Sequence, residues 1–118
     1  MAGRDPEELL PLTPAVFHIL LALADGANHG YAIMREVDAI TGGRMRLGPG
    51  TLYRSIQRML EQDLIVEVTR RPASVRDDPR RRYYRVTPFG VAVARAEMRR
   101  LTQLVRLARA RGLTPETA

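Results

Sequence analysis

The stretch from Pro49 to Ile65 constrains the fold more than any other part of the chain, because its side chains divide cleanly between a protein interior and a polar surface. Leu52, Ile56, Met59 and Leu60 recur at helical spacing and form one apolar stripe, which Leu64 and Ile65 carry past the helix end. Thr51, Arg54, Ser55, Gln57 and Arg58 fall on the remaining surface. Pro49 suits a first helical turn, where its missing N–H would have no partner, and Gly50 allows a close approach to the helix start. The pattern predicts a helix with one face in a core and its N-terminal end turned to a polar partner.

The rest of the chain supplies the elements such a helix packs against. Thr13-Pro14 is a helix start, with a hydroxyl to cap and a proline in the first turn. From Ala15 to Ala24 the only polar side chain is His18, so this helix must be buried on more than one side, in the core and at a subunit interface. A lone histidine on an apolar helix is more often a hydrogen-bonded packing residue than a pH sensor or ligand contact. Asp25-Gly26 ends the helix, Asn28 is placed to cap the next, and Ile33, Met34, Val37 and Ile40 make its apolar stripe until Gly42-Gly43. Leu47 is the residue to bury in the linker that follows.

Ile65 to Arg70 and Tyr83 to Thr87 have the density of strands, joined by a charged loop rich in turn formers. Alternation along a strand would place Tyr83 and Tyr84 on opposite faces, one inward and one outward. Thr87-Pro88 repeats the cap signal, and the helix it starts can run to Gly112. Val91, Ala94, Met98, Leu101, Val105 and Ala108 are spaced alternately three and four apart, the seam of two helices packed side by side, with Leu104 and Leu107 widening it. A helix of about 22 residues reaches roughly 33 Å, more than a small body needs to cover its own core. The surplus predicts a partner surface. The architecture is therefore mainly α with a small β-hairpin, a winged helix-turn-helix plus a long C-terminal dimerisation helix.

Charge is distributed unevenly along the 118 residues, and the distribution says more than the net +6. Residues 1–43 carry two arginines against six acids, residues 44–85 eleven against five, and the remainder six against two. Every basic side chain is arginine. Arginine makes bidentate contacts to phosphate and to guanine edges, so an arginine field beside a helix-turn-helix pattern favours nucleic acid as partner.

Several function classes find little support. There is no cysteine, hence no disulfide framework or thiolate metal site, and His18 and His29 are the only histidines, so no metal is expected. Ser55 and Ser74 have no histidine placed beside them, and no glycine-rich phosphate cradle appears, so neither an enzyme nor a cofactor is expected. Asp77 and Asp78 stand among Arg76, Arg80, Arg81 and Arg82 and suit local ion pairs better than a cation site. The N-terminus lacks the basic flank and apolar run of a signal peptide, no apolar run approaches the roughly 20 residues that span a bilayer, and a cytoplasmic protein is expected.

Gly50-Thr51-Leu52-Tyr53, followed by Arg58, Leu60, Leu64 and Ile65, resembles the recognition helix of PadR-family transcription regulators. His29-Gly30-Tyr31 upstream and Arg82-Tyr83-Tyr84-Arg85-Val86-Thr87 with Gly90 downstream keep the family's order and spacing, so that the resemblance runs from about Leu12 to Gly112. Asp63 departs from the pattern by standing where the family usually has a glycine that ends the helix in a left-handed conformation. Asp tolerates that conformation better than most residues.

The resemblance implies a homodimeric repressor of the small type with one C-terminal dimerisation helix, acting on a pseudo-palindromic operator. The expected division is 1–11 as a flexible acidic arm with one loose turn, 12–87 as the DNA-binding domain, 88–112 as the dimerisation helix and 113–118 as a tail. Recognition helices of this kind enter the major groove while the wings follow the adjacent backbone or minor groove. Thr51, Arg54 and Arg58 are then the candidates for base or phosphate contact, with Tyr53 donating its hydroxyl to a phosphate. Arg80, Arg81 and Arg82 are the wing contacts, and Tyr31 either packs under the recognition helix or reaches phosphate. Val16 and Leu20 would join Val91, Ala94, Met98, Leu101, Val105 and Ala108 in the dimer interface. Such repressors are often released by a small molecule between the first and last helices, a space lined here by Val16, Phe17, Leu20, Met98 and Leu101. The alternatives are a winged helix used to bind protein and an RNA-associated basic protein.

Overall fold

The structure, a computed structural model, describes residues 4–69 and 81–115. In chain order it holds a 3₁₀ turn Pro6–Leu9, α1 Pro14–Ala22, β1 Asn28–His29, α2 Gly30–Ile40, α3 Pro49–Glu61, β2 Ile65–Val68, β3 Tyr83–Val86 and α4 Pro88–Ala110. Both threonine-proline starts work as local chemistry predicts. The Thr13 hydroxyl accepts the Val16 N–H at 3.2 Å and the Thr87 hydroxyl accepts the Gly90 N–H at 2.9 Å, satisfying donors that the first helical turn cannot pair internally.

The core forms where α1, α2 and α3 meet over the sheet. Ile19, Ile33, Val37, Leu52, Ile56, Met59, Leu64 and Val93 are fully or almost fully buried there, and Leu47 closes it from the linker. This is the face that the Leu52 to Ile65 spacing predicts. Asp63 turns the chain from α3 into β2 with φ +61°, the left-handed geometry expected where the helix ends. His18 donates from Nδ1 to the Pro14 carbonyl at 2.6 Å, the packing role expected of a lone histidine.

Three local expectations are corrected. The sheet has three strands in the order β1-β3-β2, all antiparallel, with His29 opposite Tyr83 and Asn28 opposite Tyr84. Both tyrosines of the central strand β3 are covered: Tyr84 joins the core, and the His29 ring meets Tyr83 edge-to-face with 5.3 Å between ring centres, so they are 6% and 5% exposed and neither points outward. The cap of α2 is His29, whose Nδ1 accepts the Ala32 N–H, while Asn28 uses its side-chain oxygen on the His29 N–H.

The N-terminal segment also packs against the rest of the chain. From Arg4 onward it lies along α4: the Arg4 guanidinium stacks 4.7 Å from the Phe89 ring centre and pairs with Asp63 at 3.0 Å. Further along, the Leu12 N–H donates to Glu97 at 3.2 Å, and Arg100 grips the same carboxylate at 2.6 and 3.0 Å. Glu97 is buried, and its carboxyl is held below the ordinary value of 4.5, chiefly by the Arg100 hydrogen bond, with the Leu12 N–H adding and burial opposing. A depressed carboxyl contributes stability above its unfolded value and loses it as pH falls through the folded value. Glu97→Gln should therefore lower unfolding free energy by about 1–3 kcal/mol at pH 7, and urea titrations should show the gap to wild type closing below the ordinary carboxylate range.

Beyond Arg100 no residue of α4 is buried, and Leu104, Val105 and Leu107 are each about half exposed. The protruding half of α4 draws the radius of gyration out to 16.1 Å, against about 13 Å for a compact chain of this size.

Candidate nucleic-acid interface

The outward side of α3 carries what its polar pattern predicts. Leu52, Ile56 and Met59 anchor the helix, leaving Thr51, Tyr53, Arg54, Gln57 and Arg58 exposed. Gly48 precedes the helix and supplies no side-chain cap, so the first-turn N–H groups face out beside Gly50 and Thr51. An uncapped helix start beside arginines attracts anions.

Three sequence motifs that lie far apart in the chain meet at one cleft. His29, Gly30 and Tyr31 from the start of α2, Tyr53 from α3, and Arg81, Arg82 and Tyr84 from β3 and its approach line a volume of about 310 Å³. Gly30 makes the meeting possible: a Cβ there would stand 2.6 Å from the Tyr53 hydroxyl, so the phenol occupies space that any other residue would fill. Tyr31 is 53% exposed with the Arg35 guanidinium 5.8 Å from its ring centre, which places it in the open cleft and not under α3. Burial, with Glu67 adding, pushes the Tyr84 phenol above its ordinary value and keeps it protonated. Arg82 approaches Glu67 at 3.9 Å across the sheet. Of the arginines expected on the wing, Arg81 and Arg82 are exposed beside the cleft, and Arg80 lies outside the described residues. His29, Gly30 and Tyr84 are cleft residues to which sequence reasoning assigned no contact, although their motifs stand out in the chain.

Arg54, Arg58 and Thr51 border a second groove, of about 400 Å³, together with Val16 and Thr13 of the α1 start. A third, of about 600 Å³, is mostly apolar and opens between α1 and the near half of α4. Phe17, Leu20 and Met98 line it with Val91 and Ala94, and Arg85, Arg95 and Asp25 supply its charge, whereas Val16 and Leu101 lie elsewhere. Val16 and Leu20 are 4% exposed, buried within the chain's own core, while Val91, Met98 and Val105 are exposed. Among the described residues no cluster of histidine, aspartate and glutamate could hold a metal ion, and no helix is long and apolar enough to cross a membrane.

Helices α2 and α3 with a three-stranded wing sheet, and a basic cleft between them, define a winged helix-turn-helix protein. A sequence model described as the Transcriptional regulator PadR-like family matches residues 19–96, and the chain belongs to that family. It is 36% identical over 89 residues to a transcriptional regulator of Mycobacterium tuberculosis, covering 75% of this chain and 77% of that one. It is 35% identical over 86 residues to an uncharacterized 37.1 kDa protein in a transposon of Streptomyces fradiae; that match covers 73% of this chain but 22% of the longer relative. Among solved structures, a PadR family transcription regulator from Clostridium difficile superposes with a TM-score of 0.69 at 20% identity, covering 83% of this chain and 97% of that one. Bacillus subtilis PadR in complex with operator DNA gives 0.61 at 17% identity, covering 75% of this chain and 48% of that one.

Proposed function

We propose that the protein is a cytoplasmic, homodimeric transcriptional repressor that binds a pseudo-palindromic DNA operator. The observation that carries this reading is the convergence of the exposed α3 face and the arginines beside β3 on one cleft, where Tyr53, Tyr31, Arg81 and Arg82 stand together. In this reading residues 12–87 bind DNA and residues 88–112 pair the subunits, with residues 113–118 as a tail. Thr51, Arg54 and Arg58 reach base edges or the groove wall, Tyr53 and Tyr31 donate to phosphate, and the wing, Arg80 included, follows the backbone. The exposed seam of Val91, Met98 and Val105, with Ala94, Leu101 and Ala108, supports pairing through α4. The 600 Å³ groove supports release by a small molecule that is largely apolar and carries an anionic group toward Arg85 or Arg95.

Helix and wing are assigned different work, and a salt titration separates them. Arg54→Ala should cost about 1–3 kcal/mol on the preferred duplex and less on scrambled DNA, as expected of a bidentate contact to guanine. Replacing Arg81 and Arg82 with alanine should weaken both duplexes alike and flatten the slope of log K against log salt by roughly 0.9 for each phosphate that the wing no longer neutralises. An unchanged slope in the wing variant, with even losses for Arg54→Ala, would reverse the assignment.

A further inference from the structure

The outward line of α3 is Gly50, Arg54, Gln57 and Glu61, which recur at helical spacing opposite the buried stripe of Leu52, Ile56 and Met59. Charge is ordered along it. Arg54 folds back over the first turn, where a Cβ at Gly50 would stand 3.5 Å from its Nη1, and Glu61 closes the helix at the other end. A groove wall of phosphates therefore attracts the Arg54 end and repels the Glu61 end. Between the two, Gln57 is exposed, and its Nε2 donates to Oε2 of Glu61 at 3.2 Å. That bond fixes which way round the amide lies, because a carboxylate only accepts and must face the nitrogen. The acceptor Oε1 and the second amide N–H are left for another partner.

We propose that Gln57, held in orientation by Glu61, reads one adenine in each operator half-site. The inference rests on the DNA-binding reading and deepens it, adding a base-reading residue beyond Thr51, Arg54 and Arg58. In the major groove adenine is the base that presents an acceptor, N7, beside a donor, N6–H, and that edge is the complement of an amide oxygen with one amide N–H. Guanine presents two acceptors side by side and needs two donors, whereas Glu61 has already taken one of the two that Gln57 carries. Glu61 is thus a positioning residue. It touches no base, and it stops the amide from turning over to offer the wrong atom. Its negative charge opposes phosphate wherever the helix lands, so its contribution is to discrimination and not to affinity at random sequence.

The test uses the duplex that wild type selects from genomic fragments, remade with 7-deazaadenine, which lacks the N7 acceptor, at one adenine of each half-site at a time. One such position should weaken wild type roughly tenfold or more and leave Gln57→Ala indifferent. Both side chains are exposed, so the variants should keep the wild-type circular dichroism spectrum. Glu61→Ala should lose most of that penalty while binding scrambled duplex at least as tightly as wild type. Glu61→Gln, which keeps an oxygen to accept the Gln57 N–H, should retain the penalty. A role of Glu61 in the fold alone would not move it. No penalty at any position for wild type, or the same penalties in Gln57→Ala, overturns the adenine contact while leaving DNA binding intact. Equal penalties in wild type and Glu61→Ala overturn the positioning by Glu61. If wild type binds no duplex at all, the DNA-binding reading falls and this inference with it.

Discussion

Gly90→Ala should lower the unfolding free energy by about 3 kcal/mol, which for a chain of this size is a fall in Tm of roughly 12 °C or more. A Cβ at Gly90 would run into the carbonyl oxygen of Leu64 and stand 2.8 Å from Cγ1 of Val86 and 3.0 Å from the Leu64 carbonyl carbon. That carbonyl cannot easily retreat, because it accepts the Thr87 N–H at 3.0 Å and the Thr87 hydroxyl donates at 2.6 Å to the neighbouring Asp63 carbonyl, the bonds that join the end of α3 to the start of α4. The collision is backbone against helix, so the α4 start must lift off the core. Gly30→Ala is the internal contrast: its Cβ meets only the mobile end of Tyr53, and that variant should keep its fold. Thermal unfolding followed by circular dichroism distinguishes them, and a Gly90→Ala shift of less than about 3 °C would mean that the α3–α4 junction yields easily.

The second large effect concerns the protruding half of α4. Leu101→Glu with Val105→Glu should convert the protein to monomers at micromolar concentration and reduce operator affinity on the order of a hundredfold, because two half-sites are no longer held by one linked pair of domains. Val105 is 51% exposed and Leu101 is only partly buried, so neither charge enters the core of the subunit. Light scattering should report the monomer mass and circular dichroism an intact helical fold. A folded variant that stayed dimeric would place the interface elsewhere.

What could be read from the sequence follows the reach of the physics involved. Thr13-Pro14 and Thr87-Pro88 act within three residues, so their hydroxyl caps were legible directly. The left-handed Asp63 and the burial of Leu47 follow from a helix end and from one apolar residue in a polar linker. The third strand was not legible, because a two-residue β1 has no periodicity and exists only through its pairing with β3. The same pairing brings the His29 ring against Tyr83 while Tyr84 joins the core, which is why alternation failed to expose either tyrosine. His29 was hidden as a cap because a histidine acceptor is rarer there than the asparagine before it. The packing of Arg4 on Phe89 and Asp63 spans most of the chain and leaves no local trace. At the candidate interface, residue types and helix face were legible in Thr51, Tyr53 and Arg54. Their convergence with His29 and Arg81 depends on tertiary approach across Gly30, which no spacing encodes.

Two copies of one basic, winged face should bind one symmetric stretch of duplex DNA. Selection of bound fragments from the host genome by the purified full chain, followed by footprinting of the enriched duplex, puts this to the test. The expected outcome is enrichment of a pseudo-palindrome whose half-sites lie about one helical turn, on the order of 34 Å, apart, with both half-sites protected together. Fragments no better bound than scrambled duplex, or a single asymmetric half-site bound with full affinity, would refute it.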